Sequence, residues 1–169
     1  MIISYLLILL VIVIDIVTKQ TFSSIYAVGE VQVIFDNVLV FGYVQNRGAS
    51  FGMLEGEQFI FFIVTIVALS FFGYLFTKSN IRTKKIYTIS LILLISGTLG
   101  NAIDRLFYGY VIDFIRVPFL PLVGNTFFNV ADTALNVGIG LMVVDVIFFE
   151  GKREKNVDKS KESDHTNES

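Results

Sequence analysis

Four stretches of this chain stay apolar for the roughly 20 residues that a helix needs to cross the hydrocarbon core of a bilayer: Met1 to about Gln20, Gln58 to Thr77, Lys85 to about Ile103, and Thr133 to Phe149. Four crossings put both termini on one side. The first stretch has neither the basic n-region nor the small-residue cleavage site of a signal peptide, and is expected to be retained. Between the first two spans, Val31 to Phe35, then Asp36-Asn37, then Val38 to Val44 predict two β-rich runs around a turn, inside an outer segment of about 30–52. The connection from Phe107 to Ala131 holds both prolines, Pro118 and Pro121, and is expected to be a loop with some order. From Glu150 onward the apolar periodicity is gone, which predicts a disordered, charged tail over 150–169 behind a four-helix membrane domain over 1–149. The predicted fold class is therefore an all-α polytopic membrane protein with four transmembrane helices and a small extracytoplasmic β-hairpin region.

Composition supports this reading. With 54% apolar residues, 17 Phe and no Trp in 169 positions, the chain lies outside the range of ordinary soluble domains. Its net charge of −2 conceals a segregation. Lys78, Arg82, Lys84 and Lys85 fill the second connection, and Lys152, Arg153, Lys155, Lys159 and Lys161 the tail, so that side and both termini are expected in the cytoplasm. Only Lys19, Arg47, Arg105 and Arg116 fall on the other side. The absence of cysteine excludes a thiol nucleophile, a thiolate zinc site and any disulfide. The single histidine, His165, lies in the tail, so carboxylates, hydroxyls, lysine and amides are left to carry any chemistry of the folded part.

That topology gathers the polar residues. Asp15 and Lys19 fall at the outer end of the first helix, Asn101, Asp104 and Arg105 at the outer end of the third, and Asn129 and Asp132 at the start of the fourth. Asp113 follows Asp104 in a connection leaving the same face. Ionisable residues at membrane depth are costly and usually functional. Asp15 with Lys19, and Asp104 with Arg105, read as structural ion pairs. Asp113 and Asp132 have no such neighbour, and their plain readings are a turn aspartate and an N-cap or first-turn aspartate. Asp145 reads as an interfacial residue. Gly97, Gly100, Gly138 and Gly140 are expected to let neighbouring backbones approach.

Two close carboxylates share a proton near neutral pH, because each charge opposes the other, so one can act as base and the other as acid on a water attacking a peptide carbonyl. Other chemistries compete. Gly48-Ala-Ser50-Phe-Gly52 fits the serine-hydrolase string, but no histidine is at hand, leaving a Ser50 and Lys19 dyad as the serine alternative. Clustered carboxylates also suit Mg²⁺, and a transporter would use intramembrane acids, though usually near the midplane.

Five ordered blocks carry a family resemblance: Asp15-Ile-Val-Thr18-Lys19, Asn46-Arg-Gly48-Ala-Ser50-Phe51-Gly52, Gly97-Thr-Leu-Gly100-Asn101-Ala-Ile-Asp104-Arg105, Gly109-Tyr-Val-Ile-Asp113-Phe114, and Phe128-Asn129-Val-Ala131-Asp132. Over all but its tail the chain resembles the bacterial lipoprotein signal peptidases, or signal peptidase II. The resemblance implies an aspartic endopeptidase of the bacterial cytoplasmic membrane. Such an enzyme removes the signal peptide of diacylglyceryl-modified prolipoproteins just before the lipidated cysteine, near the extracytoplasmic face. It implies Asp113 and Asp132 as the catalytic pair. Asn46, Gly48, Asn101, Asp104, Arg105 and Asn129 then line the site, and Asp15 and Lys19 support it. It further implies no metal or other cofactor, no nucleic-acid partner, contact with membrane lipids, a monomer, and inhibition by globomycin. Gln45, Ser96 and Thr98 depart from residues common in that family.

Overall fold

The computed structural model describes residues 1–48, 58–121, 124–151 and 153. The elements in chain order are α1 (Ile2–Ile25), β1 (Val31–Phe35), β2 (Leu39–Asn46), α2 (Gln58–Thr77), α3 (Lys85–Tyr108), β3 (Val111–Arg116) and α4 (Val130–Asp145), which runs on into a π-helical turn, Val146–Glu150. Four helices are long and apolar enough to cross a membrane.

α3 is the axis of the bundle. Small and hydroxylated side chains, among them Ser90, Ser96, Gly97 and Gly100, line its buried faces, so α1, α2 and α4 all pack against it. A Cβ on Gly97 would stand 2.5 Å from the Ala131 carbonyl oxygen, and one on Gly100 2.6 Å from Asp15 Oδ2. Gly138 gives similar closeness from the α4 side, whereas Gly140 faces open space and brings no backbone near. Ile8, Phe76, Leu91 and Ile92 form an apolar core among α1, α2 and α3. α2 turns Phe59, Phe62, Val67 and Phe71 outward, which suits a helix solvated by lipid rather than water.

Three helices extend beyond the limits that hydropathy predicts. α1 continues past Gln20 because the Thr21, Ser23 and Ser24 hydroxyls donate back to carbonyls of the preceding turn, so polar residues there do not break the helix. α3 continues past Ile103 to Tyr108 and stops at Gly109, whose φ of 75° is the left-handed cap conformation that glycine adopts without strain. α4 begins at Val130 rather than Thr133, behind a capping box made by Asn129 and Asp132.

Outside the bundle, β1 and β2 form the expected hairpin, turning through Asn37 at φ 56°. Beyond it the connection after α3 supplies a third strand. β3 pairs antiparallel with β2, placing Asp113 opposite Val44 and making β2 the centre of a three-stranded sheet. Val111, Ile112, Asp113 and Phe114 are all buried. A strand covered on both faces shows no alternation, which is why the prolines beyond it suggested a loop throughout. Phe22 of α1 stacks on Phe114 and meets Phe41 edge-on, fastening the sheet to the bundle.

At the opposite end, Asp145 is buried and takes a two-pronged bond from Arg153, which ties the first residues after α4 back to the bundle. The rest of the predicted tail lies outside the described residues, as does the last part of the 30–52 segment.

Two glycines on α3 and α4 test this packing. Gly97→Ala is expected to lower unfolding stability in detergent by about 1–3 kcal/mol through forced separation of the helices. Gly140→Ala should leave it unchanged or raise it by less than about 1 kcal/mol. Equal effects in thermal or denaturant unfolding would contradict the asymmetry.

Candidate active site

The polar residues of four elements meet around one buried cation. Lys19, at the outer part of α1, is 1% exposed. Its ammonium lies 2.7 Å from Asp15 Oδ2 and 3.0 Å from Asp104 Oδ2, and donates to Asn101 Oδ1 at 3.2 Å. Asp104 therefore pairs with Lys19 and not, as sequence adjacency suggested, with Arg105. Neighbours along a helix point in different directions, and the partner comes from another helix. With all three N–H groups directed at these acceptors, Lys19 is not free to activate a hydroxyl. Ser50, its partner in the serine alternative, lies outside the described residues.

Each aspartate of this cluster also holds a backbone group. Asp15 Oδ1 accepts from Ala131 N–H at 2.8 Å, in the first turn of α4, and Asp104 Oδ2 accepts from Ile112 N–H at 3.0 Å, just before Asp113 on β3. The cation and its two counter-ions thus pin the segments that carry Asp113 and Asp132. Sequence reading could not find Ala131 and Ile112 as participants, because they contribute backbone rather than side chain.

The second layer is made of asparagines. Asn101 Oδ1 accepts from Lys19 and from Asn129 Nδ2, so its own amide hydrogens must turn outward, and Nδ2 donates to Asp132 Oδ1 at 2.7 Å. Asn129, fully buried, donates to Asp113 Oδ1 at 2.8 Å through Nδ2, and through its backbone N–H to Asp132 Oδ2 at 3.2 Å. Its own Oδ1 accepts from Asp132 N–H at 2.8 Å. Asn46, the last residue of β2, donates to Asp113 Oδ2 at 2.9 Å. Gly48 N–H donates to Asn46 Oδ1 and so settles which way that amide faces. Gln45 donates to the Tyr43 hydroxyl, not to either carboxylate. The helix-cap reading of Asp132 and its place in a polar site are both realised, by the same two bonds.

Burial first, and then the neighbouring negative charge of Asp132, push Asp113 up to about 7, against the smaller lowering effect of the Asn46 and Asn129 donors. This carboxyl therefore exchanges its proton near neutral pH rather than in the ordinary carboxylate range.

A cavity of about 720 Å³ opens beside Asp132. Among the described residues the α2 backbone packs on α3 alone, so α2 and α4 stand apart and the cavity fills the gap between them, with α3 as its floor. Phe61, Val64, Ala68 and Phe72 form the α2 wall; Thr98, Asn101 and Arg105 form the floor, and Asp132, Leu135, Asn136 and Val137 the α4 wall. Arg105 lies 4.3 Å above the Phe61 ring, a cation–π contact that holds the guanidinium at the mouth. Phe61 carries no signal in the sequence, since it is one of many aromatic residues in an apolar span.

The signal peptidase (SPase) II family matches the chain over residues 7–148. The chain belongs to that family. It is 40% identical, over 84% of its own length and 91% of the relative's, to a lipoprotein signal peptidase of Latilactobacillus sakei subsp. sakei (strain 23K). Two solved bacterial membrane enzyme structures share the fold, each with a TM-score of 0.76, at 30% and 31% identity. They cover 86% and 85% of this chain, and the chain covers 93% and 87% of theirs. As a signal peptidase II the chain is a membrane peptidase of multi-pass architecture.

Two substitutions probe the site's construction. Removing the negative neighbour in Asp132→Asn is expected to move the titration of Asp113, followed by carboxyl ¹³C resonance, below about 7, and removing a donor to the ionised form in Asn46→Ala to move it above. Shifts of the opposite signs would refute the assignment of causes. Lys19→Met leaves Asp15 and Asp104 buried without a counter-ion and should destabilise the fold by about 3–5 kcal/mol, read by denaturant unfolding in detergent. A loss below about 1 kcal/mol would show that the cation is dispensable.

Proposed function

We propose that this protein is an aspartic endopeptidase that removes the signal peptide from diacylglyceryl-modified prolipoproteins, cleaving before the lipidated cysteine, with Asp113 and Asp132 as its catalytic pair. The observation that carries the reading is that one residue, Asn129, hydrogen-bonds both carboxylates at the mouth of a groove set among membrane-spanning helices. With one proton shared between them, the ionised carboxylate takes a proton from water as the water oxygen bonds to the scissile carbonyl carbon. The protonated carboxyl gives its proton to the carbonyl oxygen. Collapse of the resulting diol breaks the C–N bond, returns the proton of one hydroxyl to the pair, and passes a proton to the departing amine.

The donor set favours this chemistry over a bound cation. Asn46, Asn101 and Asn129 each turn an amide N–H toward a carboxylate oxygen, a surrounding that suits negative charge and repels Mg²⁺. No cofactor enters the proposed reaction. Arg105 and the Asn101 and Asn129 amides are placed to hold substrate backbone. The groove between α2 and α4 admits the lipidated substrate, and globomycin would compete for it.

Orientation rests on charge. Lys78 lies 4.2 Å over the Tyr74 ring and Lys84 5.7 Å over the Tyr87 ring, a basic and aromatic belt at the end of the bundle remote from the aspartates. That end faces the cytoplasm with both termini, and the site lies near the extracytoplasmic face.

The deciding experiment is cleavage of a synthetic diacylglyceryl prolipoprotein peptide in detergent with EDTA present. Wild type should cut before the lipidated cysteine, with kcat/KM falling above about pH 7 as the pair loses its shared proton. Folded Asp113→Asn and Asp132→Asn should each fall by at least about 10³-fold, within the usual range of about 10²–10⁴-fold for a general acid or base. Inactivity of wild type, or retained activity in either variant, would overturn the proposal.

A further inference from the structure

Asn136 is an amide inside the last of the four helices long and apolar enough to cross a membrane. It follows Asp132 on the same face of α4 and lines the groove, about 9 Å along the helix from Val130 at 1.5 Å per residue. Thr65 lines the facing α2 wall about 10 Å from Gln58 by the same rise. A polar group in hydrocarbon is costly unless it is used. Asn136 Nδ2 donates to the Asp132 carbonyl oxygen at 2.9 Å, which turns Oδ1 to the other side of the amide and leaves it without a donor among the described residues. The Thr65 hydroxyl likewise has no hydrogen-bond partner among them. Thr98, on the floor, donates to Leu94 O and keeps its acceptor lone pairs for the groove.

The free valences select a ligand. Asn136 Oδ1 needs a donor, and the ester carbonyls of a diacylglyceryl group only accept. A signal segment in helical form has its N–H groups already bonded to its own carbonyls. An extended peptide has them free, and in hydrocarbon they must find acceptors.

Resting on the peptidase reading above, we propose that Asn136 Oδ1, with Thr65 on the opposite wall, accepts a backbone N–H of the signal peptide just upstream of the cleaved bond. The substrate's helix is then unwound there, and the enzyme selects signal peptides that leave the helix at this point. The register follows from geometry. Asn136 lies about 6 Å below Asp132 along α4, and an extended chain advances about 3.3 Å per residue, so the N–H belongs to the second or third residue upstream.

The test is a cycle between enzyme and substrate. Wild type and Asn136→Leu are assayed on the synthetic lipidated peptide, on analogues whose backbone N–H is replaced by an ester oxygen at each of the first four upstream positions in turn, and on one whose acyl esters are replaced by ethers. Asn136→Leu is expected to lower kcat/KM about tenfold, mainly through KM, the scale of one hydrogen bond. The analogue altered at the second or third position should lose about tenfold on wild type and nothing further on Asn136→Leu, while other positions lose equally on both. Thr65→Val, on a different helix, carries the same cycle if Asn136→Leu does not fold. Equal losses on both enzymes at every position, or coupling to the ether analogue instead, would overturn the inference while leaving the peptidase reading in place. Failure of wild type to cleave the parent peptide would overturn that reading itself.

Discussion

The ammonium of Lys19 is the interaction on which the rest of the site depends. A single positive charge buried between Asp15 and Asp104 is tolerable only because each carboxylate is further bonded, to Ala131 N–H and to Ile112 N–H. Those additional bonds turn a local charge balance into a positioning device. The first turn of α4 and the start of β3 are drawn to the same point, and Asp132 and Asp113 arrive with them. Without that cation the bundle would still be apolar and helical, but nothing in lipid-facing packing would specify where these two segments meet.

Around this centre the asparagines act as oriented connectors. An amide can be turned over at little cost unless its oxygen is claimed, and here it is. Lys19 and Asn129 claim that of Asn101, Gly48 N–H that of Asn46, and Asp132 N–H that of Asn129. Donors are therefore left aimed at Asp113 and Asp132. The capping box at α4 joins helix initiation to site assembly, because the bonds that begin the helix are the bonds that hold Asp132.

Much of this was legible in the sequence. Four apolar stretches gave the spans, and the clustering of Asp15, Lys19, Asn101, Asp104, Asn129 and Asp132 at the helix ends gave one converging face. The hairpin at Asp36-Asn37 was readable from its turn chemistry. What escaped was tertiary. β3 has no alternation because both of its faces are covered, the true partner of Asp104 lies on another helix, and Phe61 looks like any lipid-facing aromatic until Arg105 is seen above it. The helix ends escaped for local reasons: hydroxyls satisfied within the helix on α1, a glycine cap on α3 and a capping box on α4.

The gap between α2 and α4 is walled by two of the four helices long and apolar enough to cross a membrane. Encounter with a membrane-anchored substrate is then a search in two dimensions. The quantity that governs its rate is the number of substrate molecules per unit area of membrane, not their concentration in water. Crowding of the bilayer and the viscosity of its lipids accordingly enter the turnover of this protein alongside its chemistry.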